Sequence, residues 1–377
     1  MKLIHLSDLH IGKRLNEMSY IEDQKHILTE ILKIVDSEKP DAVLIAGDVY
    51  DKSIPSGEAV EILDNFLYSL STACANVFVI SGNHDSPERI AFGGRLMDKS
   101  GVHLSPVYDG AMSKFTLSDR FGNVNIYMLP FIRPADVRRF FPDEEINSYT
   151  DAVRTAVNSC TIDENDRNVI ITHQFVAGAN RCDSEDKTVG GTDCVDSSVF
   201  DCFDYTALGH IHGPQNVGSE KIRYCGTPLK YSFSEENHKK SVTVVELKEK
   251  NNLTVRTIPL IPLRDMCTIK GTFAEISASK PSEDYIRVIL SDKTEITDAL
   301  NKLRYIFPNI MELHYEMSYT PDISDLNINE EAIRNDSFSV FEEFYKTQRG
   351  GDSFTDEKAE YMRMLIDEIE EGKNETD

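Results

Sequence analysis

Along the first 250 residues, short apolar runs alternate with stretches in which apolar side chains recur every three or four positions. That alternation is the mark of an α/β fold. It predicts strands at Lys2–Leu6, Ala42–Ala46, Val77–Ser81, Val124–Leu129, Val169–Thr172, Tyr205–Leu208 and Val242–Leu247. Between them, Ile27, Leu28, Ile31, Leu32 and Val35 line one face of a helix over Ile21–Val35. Val60, Leu63, Leu67 and Leu70 do the same over Ala59–Leu70. Pro40 and Asp41 break the chain between the first helix and the second strand. Residues 178–198, polar and glycine-rich, read as a long surface loop, and RTIPLIPLRD (256–265) reads as a proline-containing linker.

A small β-β-α-β block follows, with strands at Cys267–Phe273 and Tyr285–Leu290, a helix over Glu295–Tyr305 and a strand at Ile310–Met317. In the tail, Phe338, Phe341 and Tyr345 line one helical face, and Ala359, Met362, Ile366 and Ile369 fall at the spacing of a seam. Two such amphipathic helices either fold back or grip a partner helix. The chain is thus expected to hold a large domain over 1–262, a small second domain over 263–320, and an acidic linker with a helical tail over 321–377.

Composition is that of a globular protein, with 40% hydrophobic and 28% charged residues and a mean hydropathy of −0.35. No run approaches the roughly 18 apolar residues of a membrane helix. The start, MKLIHLSDLH, reads as a first strand and not as a signal peptide. Seven scattered cysteines without a C-x-x-C pair suit free thiols in a reducing cytoplasm. The formal net charge is −24, which argues against a chain that wraps DNA through its own basic surface. Residues 321–377 carry 17 acidic and 6 basic residues, which is −11 of that total. A polyanionic substrate would need charge cancelled locally by cations, or a partner to hold it.

Residues capable of ligating a metal follow the predicted strands. They are Asp8 and His10 in SDLH, Asp48 in AGDVYD, Asn83, His84 and Asp85 in GNHD, His173 in ITHQ, and His210 with His212 in GHIH. Polar groups at the end of a buried strand are costly unless something pairs with them. Gly-Asn turn chemistry explains a bend at SGNHD, and a satisfied structural histidine explains any one motif alone. Five segments in the same strand-end setting favour a shared crevice at one side of the sheet, where α/β folds bind ligands.

Histidine and carboxylate ligands without cysteine suit manganese, iron or zinc. Seven candidates (Asp8, His10, Asp48, Asn83, His173, His210 and His212) are too many for one ion and suit two. A carboxylate bridges such a pair, and Asp48 is the natural choice. Asn83 offers an amide oxygen without adding charge. His84 is expected to stay unligated and to contact the phosphoryl oxygen or protonate a leaving alkoxide, with Asp85 orienting its ring. Asp51 is either a positioning group or a turn residue. His26, His103, His238 and His314 lie outside every motif and read as structural or surface residues.

The ordered series D-x-H, G-D-x-x-D, G-N-H-D, H and G-H-x-H resembles the calcineurin-like metallophosphoesterase superfamily. LIHLSDLHIGK, GTPLKYSFSEENHKKSV after GHIH, the small C-terminal domain and the FEEFY tail extend the resemblance across essentially the whole chain. They resemble, within that superfamily, the nuclease subunits of bacterial ATPase-coupled break-repair complexes. The resemblance implies two β-sheets packed face to face with helices outside. It implies one ion on Asp8, His10, Asp48 and His212, a second on Asp48, Asn83, His173 and His210, and His84 as the catalytic residue. It further implies Mn2+-dependent cleavage of DNA, 3′→5′ from duplex ends and endonucleolytic on single strands and hairpins. Duplex processing would be coupled to a coiled-coil ATPase docked by residues about 337–371, with two nuclease subunits pairing in the complex. The sequence holds no G-x-x-x-x-G-K-[ST] P-loop, so ATP hydrolysis falls to that partner. A phosphodiesterase acting on a small nucleotide or phosphoprotein, and a scaffold for an ATPase, are the alternatives.

Overall fold

The computed structural model describes residues 1–316 apart from Glu17 and 186–192, then Phe338, Phe341, Glu342, Tyr345 and 355–373. The chain divides into two compact units, Met1–Thr268 with Glu283–Ile286, and Ile269–Ser282 with Arg287–Asp377.

The first unit is built on two six-stranded sheets. One runs Leu253–Pro259, Ser241–Leu247, Lys2–Leu6, Ala42–Ala46, Val77–Ile80, Val102–Leu104 in spatial order. The other runs Gln215–Val217, Ser219–Tyr224, Tyr205–Gly209, Arg167–His173, Gly122–Leu129, Ser113–Asp119. The central strands of both are parallel, and antiparallel strands lie at one edge of the first sheet and at both edges of the second. Leu3, Leu44, Phe78 and Ile80 of the first sheet pack with Ile126, Met128, Val169 and Ala207 of the second in one buried core. The sheets therefore lie face to face. Central strands buried on both faces read as continuous apolar runs, which is why the sequence pattern locates them.

Helix Ile21–Glu38 buries Ile27, Leu28, Ile31 and Val35 and ends at Lys39, whose left-handed backbone (φ 49°) precedes Pro40. Helix Gly57–Ala73 buries Ile62, Leu63, Phe66 and Leu70, and Ser56 Oγ caps it by accepting from the Ala59 N–H. On the far face of the second sheet, Val153, Ala156 and Val157 of helix Tyr149–Asn158 join Ile170, Leu208 and Tyr224 in another core.

Two expectations fail here. The first four residues of the segment read as a linker, 256–259, are strand, since Leu253–Pro259 pairs antiparallel with Ser241–Leu247. It is a half-exposed edge strand, and Pro259 sits at its end, where a missing N–H is tolerated. The stretch read as a surface loop is partly interior. Cys194–Val195 pairs with Phe175–Val176, and Cys182, Glu185 and Asp193 are buried, while 186–192 lie outside the described residues.

Toward the C-terminus, Met266–Gly271, Tyr285–Leu290 and Ile310–Tyr315 form a three-stranded sheet in that order. The pattern is β-α-β-α-β and not β-β-α-β, because a helix over Phe273–Ser277 sits between the first two strands, capped by Thr272 with Glu275. Five residues are too few to register as a helical period. The second helix is shorter than expected, Ala299–Arg304. Helix Asp356–Lys373 occupies the last predicted helical pattern. Ala359, Met362 and Ile366 on it are half-buried, and Tyr361 and Met364 are exposed. Residues 317–337, and Glu343 and Phe344 of the FEEFY segment, lie outside the described residues.

Candidate metal centre

The C-terminal ends of the two sheets meet, and the strands deliver their polar termini to one place. His173, last residue of its strand in the second sheet, lies 2.8 Å through Nδ1 from the carbonyl of Ala46, last residue of its strand in the first. The approach leaves no room for side chains at the preceding glycines. A Cβ at Gly209 would stand 1.8 Å from the Ala46 carbonyl oxygen, and one at Gly82 would stand 2.1 Å from Asp48 Oδ1. Glycine in Gly47-Asp48, Gly82-Asn83 and Gly209-His210 is thus a packing requirement as well as turn chemistry. Asp8, His10 and Asp48 hold left-handed backbones (φ 52°, 45° and 47°), and His210 has φ 102°. Such conformations cost roughly 1–3 kcal/mol each and persist where the surroundings enforce them.

All seven candidate ligands converge, in two overlapping groups. In one, ligand atoms of Asp8, His10 and His212 lie within 4.8 Å of one another, and Nε2 of His10 is 3.2 Å from Nε2 of His212. In the other, Asn83 Oδ1 lies 3.0 Å from His173 Nε2 and 2.9 Å from His210 Nδ1. Asp48 stands between them, its Oδ2 3.4 Å from His173 Nε2 and 3.8 Å from His10 Nε2. Asp8 also accepts the His210 backbone N–H at 3.0 Å.

The hydrogen bonds decide what these atoms present. A carbonyl only accepts, so His173 donates Nδ1–H to Ala46 and turns Nε2 toward the Asn83 and Asp48 oxygens. An amide oxygen, a carboxylate and an imidazole nitrogen gathered in a buried place require positive charge between them. Burial alone would lower the His173 pKa, but the Asp48 carboxylate overrides it and lifts the pKa to about 9. Either a proton or a metal cation satisfies the group. Burial holds His10 well below the usual imidazole range and His210 down at about 3. Both rings are neutral at pH 7, the state in which imidazole ligates metals. His10 Nε2 and His212 Nε2 meet at the distance of two lone pairs sharing a proton or a cation. The donor set therefore fits divalent metal.

His84 stands at the rim. Its ring is 23% exposed, whereas His10 and His173 are fully buried. Its Nδ1 lies 3.1 Å from the Asp51 carbonyl oxygen, which fixes Nδ1 as the donor and turns Nε2 inward to 3.9 Å from Asp48 Oδ2. His84 also falls within ligand reach of His10 and Asp48, and its partial exposure sets it apart. The orienting group is the Asp51 main chain, not Asp85. The Asp85 carboxylate accepts from the backbone N–H groups of Val49, Tyr50 and Gly82 at 2.9–3.0 Å, so it pins the Asp48 turn. The Asp51 side chain pairs with Lys13 Nζ at 2.8 Å. His26 meets the Ile261 carbonyl, His314 is exposed beside Glu312, and His103 stacks on Phe78.

Four residues around His212 are not legible in the sequence. Ser184 Oγ lies 2.7 Å from His212 Nδ1 and donates to Glu235, Glu185 accepts the His212 N–H, and Lys240 pairs with Glu235. Two of them precede His212 and two follow it, all more than twenty residues away and with no regular spacing.

A family model described as calcineurin-like phosphoesterase matches residues 1–214, and one described as type 5 capsule protein repressor C-terminal domain matches residues 262–349. The SbcD subunit of the nuclease SbcCD from Staphylococcus epidermidis is 33% identical over 92% of this chain and 93% of its own length. The protein of the same name from Staphylococcus saprophyticus is 32% identical over 99% of this chain and 100% of its own. The chain belongs to the SbcD family of calcineurin-like phosphoesterases. The crystal structure of a dimetal phosphatase from Danio rerio aligns with 70% of the chain and 98% of its own, at 11% identity and a TM-score of 0.40, a distant likeness. The family likeness reaches beyond the phosphoesterase region into the C-terminal residues. Among the described residues no helix is long and apolar enough to cross a membrane.

Proposed function

We propose that the chain is a metal-dependent DNA nuclease, the catalytic subunit of an SbcCD complex, holding two divalent ions of which Mn2+ suits the donors best. The observation that carries this is the pair of overlapping donor groups sharing Asp48, with the partly exposed His84 at their edge. Asp8, His10, Asp48 and His212 would hold one ion, and Asp48, Asn83, His173 and His210 the other. When bound, such a pair supplies Lewis-acid stabilisation of charge developing at phosphorus and acidifies water. The buried strand ends exclude bulk water and fix the donors. His84, with Nδ1–H committed to Asp51, carries any second proton on Nε2 and delivers it to the leaving alkoxide.

The activities proposed are 3′→5′ exonuclease on duplex ends and endonuclease on single strands and hairpins in DNA repair and recombination, in the cytoplasm. Residues 1–262 form the nuclease domain and 263–320 the capping, DNA-contacting domain. Residues 337–371 dock the coiled-coil base of the ATPase SbcC, and two nuclease subunits pair in the assembly. The net charge of −24 supports leaving most of the DNA grip to SbcC.

The test is nucleotide release from a hairpin with a duplex stem in Mn2+. His84→Ala should lose about 10²–10⁴-fold in rate, the range for a lost general acid, while its metal content stays that of wild type. SbcC with ATP should stimulate the full chain and not a chain ending at residue 336. Unchanged cleavage by His84→Ala would remove its assigned role. Absence of cleavage with metal bound would point to another phosphodiester substrate.

A further inference from the structure

We propose that Ser184 is a positioning residue for His212, setting the tautomer and aim of one metal ligand through a Glu235–Ser184–His212 relay. The inference rests on the reading of His212 as a ligand. Glu235 Oε1 is 3.6 Å from His212 Nδ1, too far for a direct hydrogen bond, and the Ser184 hydroxyl stands between them. Its oxygen is 2.5 Å from Glu235 Oε1 and 2.7 Å from His212 Nδ1.

A hydroxyl has one proton and two lone pairs. Glu235, buried and paired with Lys240 Nζ at 2.5 Å, is an ionised acceptor and takes that proton. The lone pairs left on Ser184 oblige His212 to donate Nδ1–H, so His212 Nε2 carries a bare lone pair toward Asp8 and His10. The main chain of the same residue is clamped from both sides. Its N–H donates to Glu185 Oε1 at 2.7 Å, and its carbonyl accepts from Lys240 Nζ at 2.9 Å. Ser184 and Glu185 come from the segment that follows strand Phe175–Val176, whereas Glu235 and Lys240 come from the GTPLKYSFSEENHKK segment. The stretch read from sequence as a long surface loop therefore supports one candidate ligand directly.

The experiment is Mn2+ titration of the full chain by calorimetry, with bound metal counted by elemental analysis. Ser184→Ala should weaken one of two binding steps by roughly 10–100-fold, the usual effect of losing a ligand's hydrogen-bond partner. The other step should keep the wild-type affinity, and Ser184→Thr should restore the weakened one. Two unchanged steps in Ser184→Ala would overturn the proposal. So would equal weakening of both steps with a lowered melting temperature, because that marks a structural role. If His212→Ala also leaves both steps unchanged, the ligand reading itself fails.

Discussion

His173 ends one strand of the second sheet and His212 follows its neighbour, yet the two rings are held by different means. His173 is fixed by main chain. Its Nδ1–H goes to the Ala46 carbonyl, and the backbones of Gly47 and Gly209 press on the ring closely enough to exclude a Cβ. His212 is fixed by side chains, through Ser184, Glu185, Glu235 and Lys240. A side chain held by main chain depends on strand register and on glycine, and is insensitive to most side-chain changes. One held by a polar network depends on every member being satisfied, because an unpaired buried polar group is so costly.

The largest effect should come from the polar network. Glu235→Gln leaves the Lys240 ammonium, 5% exposed, without its carboxylate. Breaking a buried ion pair in this way costs about 3–5 kcal/mol. Thermal or denaturant unfolding of the variant should show that loss, together with weakened metal binding on the Asp8–His10–His212 side. A change below about 1 kcal/mol, the net worth of an ordinary hydrogen bond, would mean that the network is dispensable and that both halves of the centre rest on backbone.

A somewhat smaller effect is expected from the main-chain half. Gly209→Ala places a Cβ against the Ala46 carbonyl oxygen and the His173 ring. Overpacking a tight interior costs about 1–3 kcal/mol, and backbone on the far side of the contact puts this position at the upper end. Metal counting should show the Asn83–His173–His210 step lost and the other step retained. Loss of both together would show that the halves are not separately supported.

The same contrast explains what the sequence makes legible. Ala42–Ala46 and Tyr285–Leu290 have the bounds that their apolar runs predict, because strands buried over most of their length are written in consecutive residues. The candidate ligands can be picked out because each stands just past such a run, and a preceding glycine marks the place where two sheets touch. The expectation for Asp85 fails, since a carboxylate beside a histidine in sequence gives no sign that two backbone N–H groups of a crossing turn and one of its own turn have taken it. Ser184, Glu235 and Lys240 meet only through the fold, so no spacing announces them. The hairpin strand Ser113–Asp119 escapes prediction because its alternation of half-buried and exposed residues resembles loop composition.

The smallest effect should come from the far end of the strand that delivers His173. Arg167 opens that strand and is 2% exposed, paired with Asp119 at 2.5 Å and with the carbonyls of Gly122, Leu247 and Lys248. The Arg167 guanidinium outweighs the cost of burial and holds the Asp119 carboxyl well below the usual carboxylate range. Its folded pKa lies below its unfolded value of about 3.9. The pair therefore contributes its full stability above roughly pH 5 and loses it as acid protonates the folded carboxylate. Asp119→Asn should cost about 2 kcal/mol at pH 7, the scale of a hydrogen bond to a charged group. The gap between variant and wild type should close as the pH falls through and below about 4. Because the carbonyls keep Arg167 and the strand register in place, metal binding at His173 should not change. A pH-independent gap would remove the ionised pair as its source. A loss of metal would show that the strand carries strain from its start to its liganding end, so that the main-chain half extends well beyond the glycines around it.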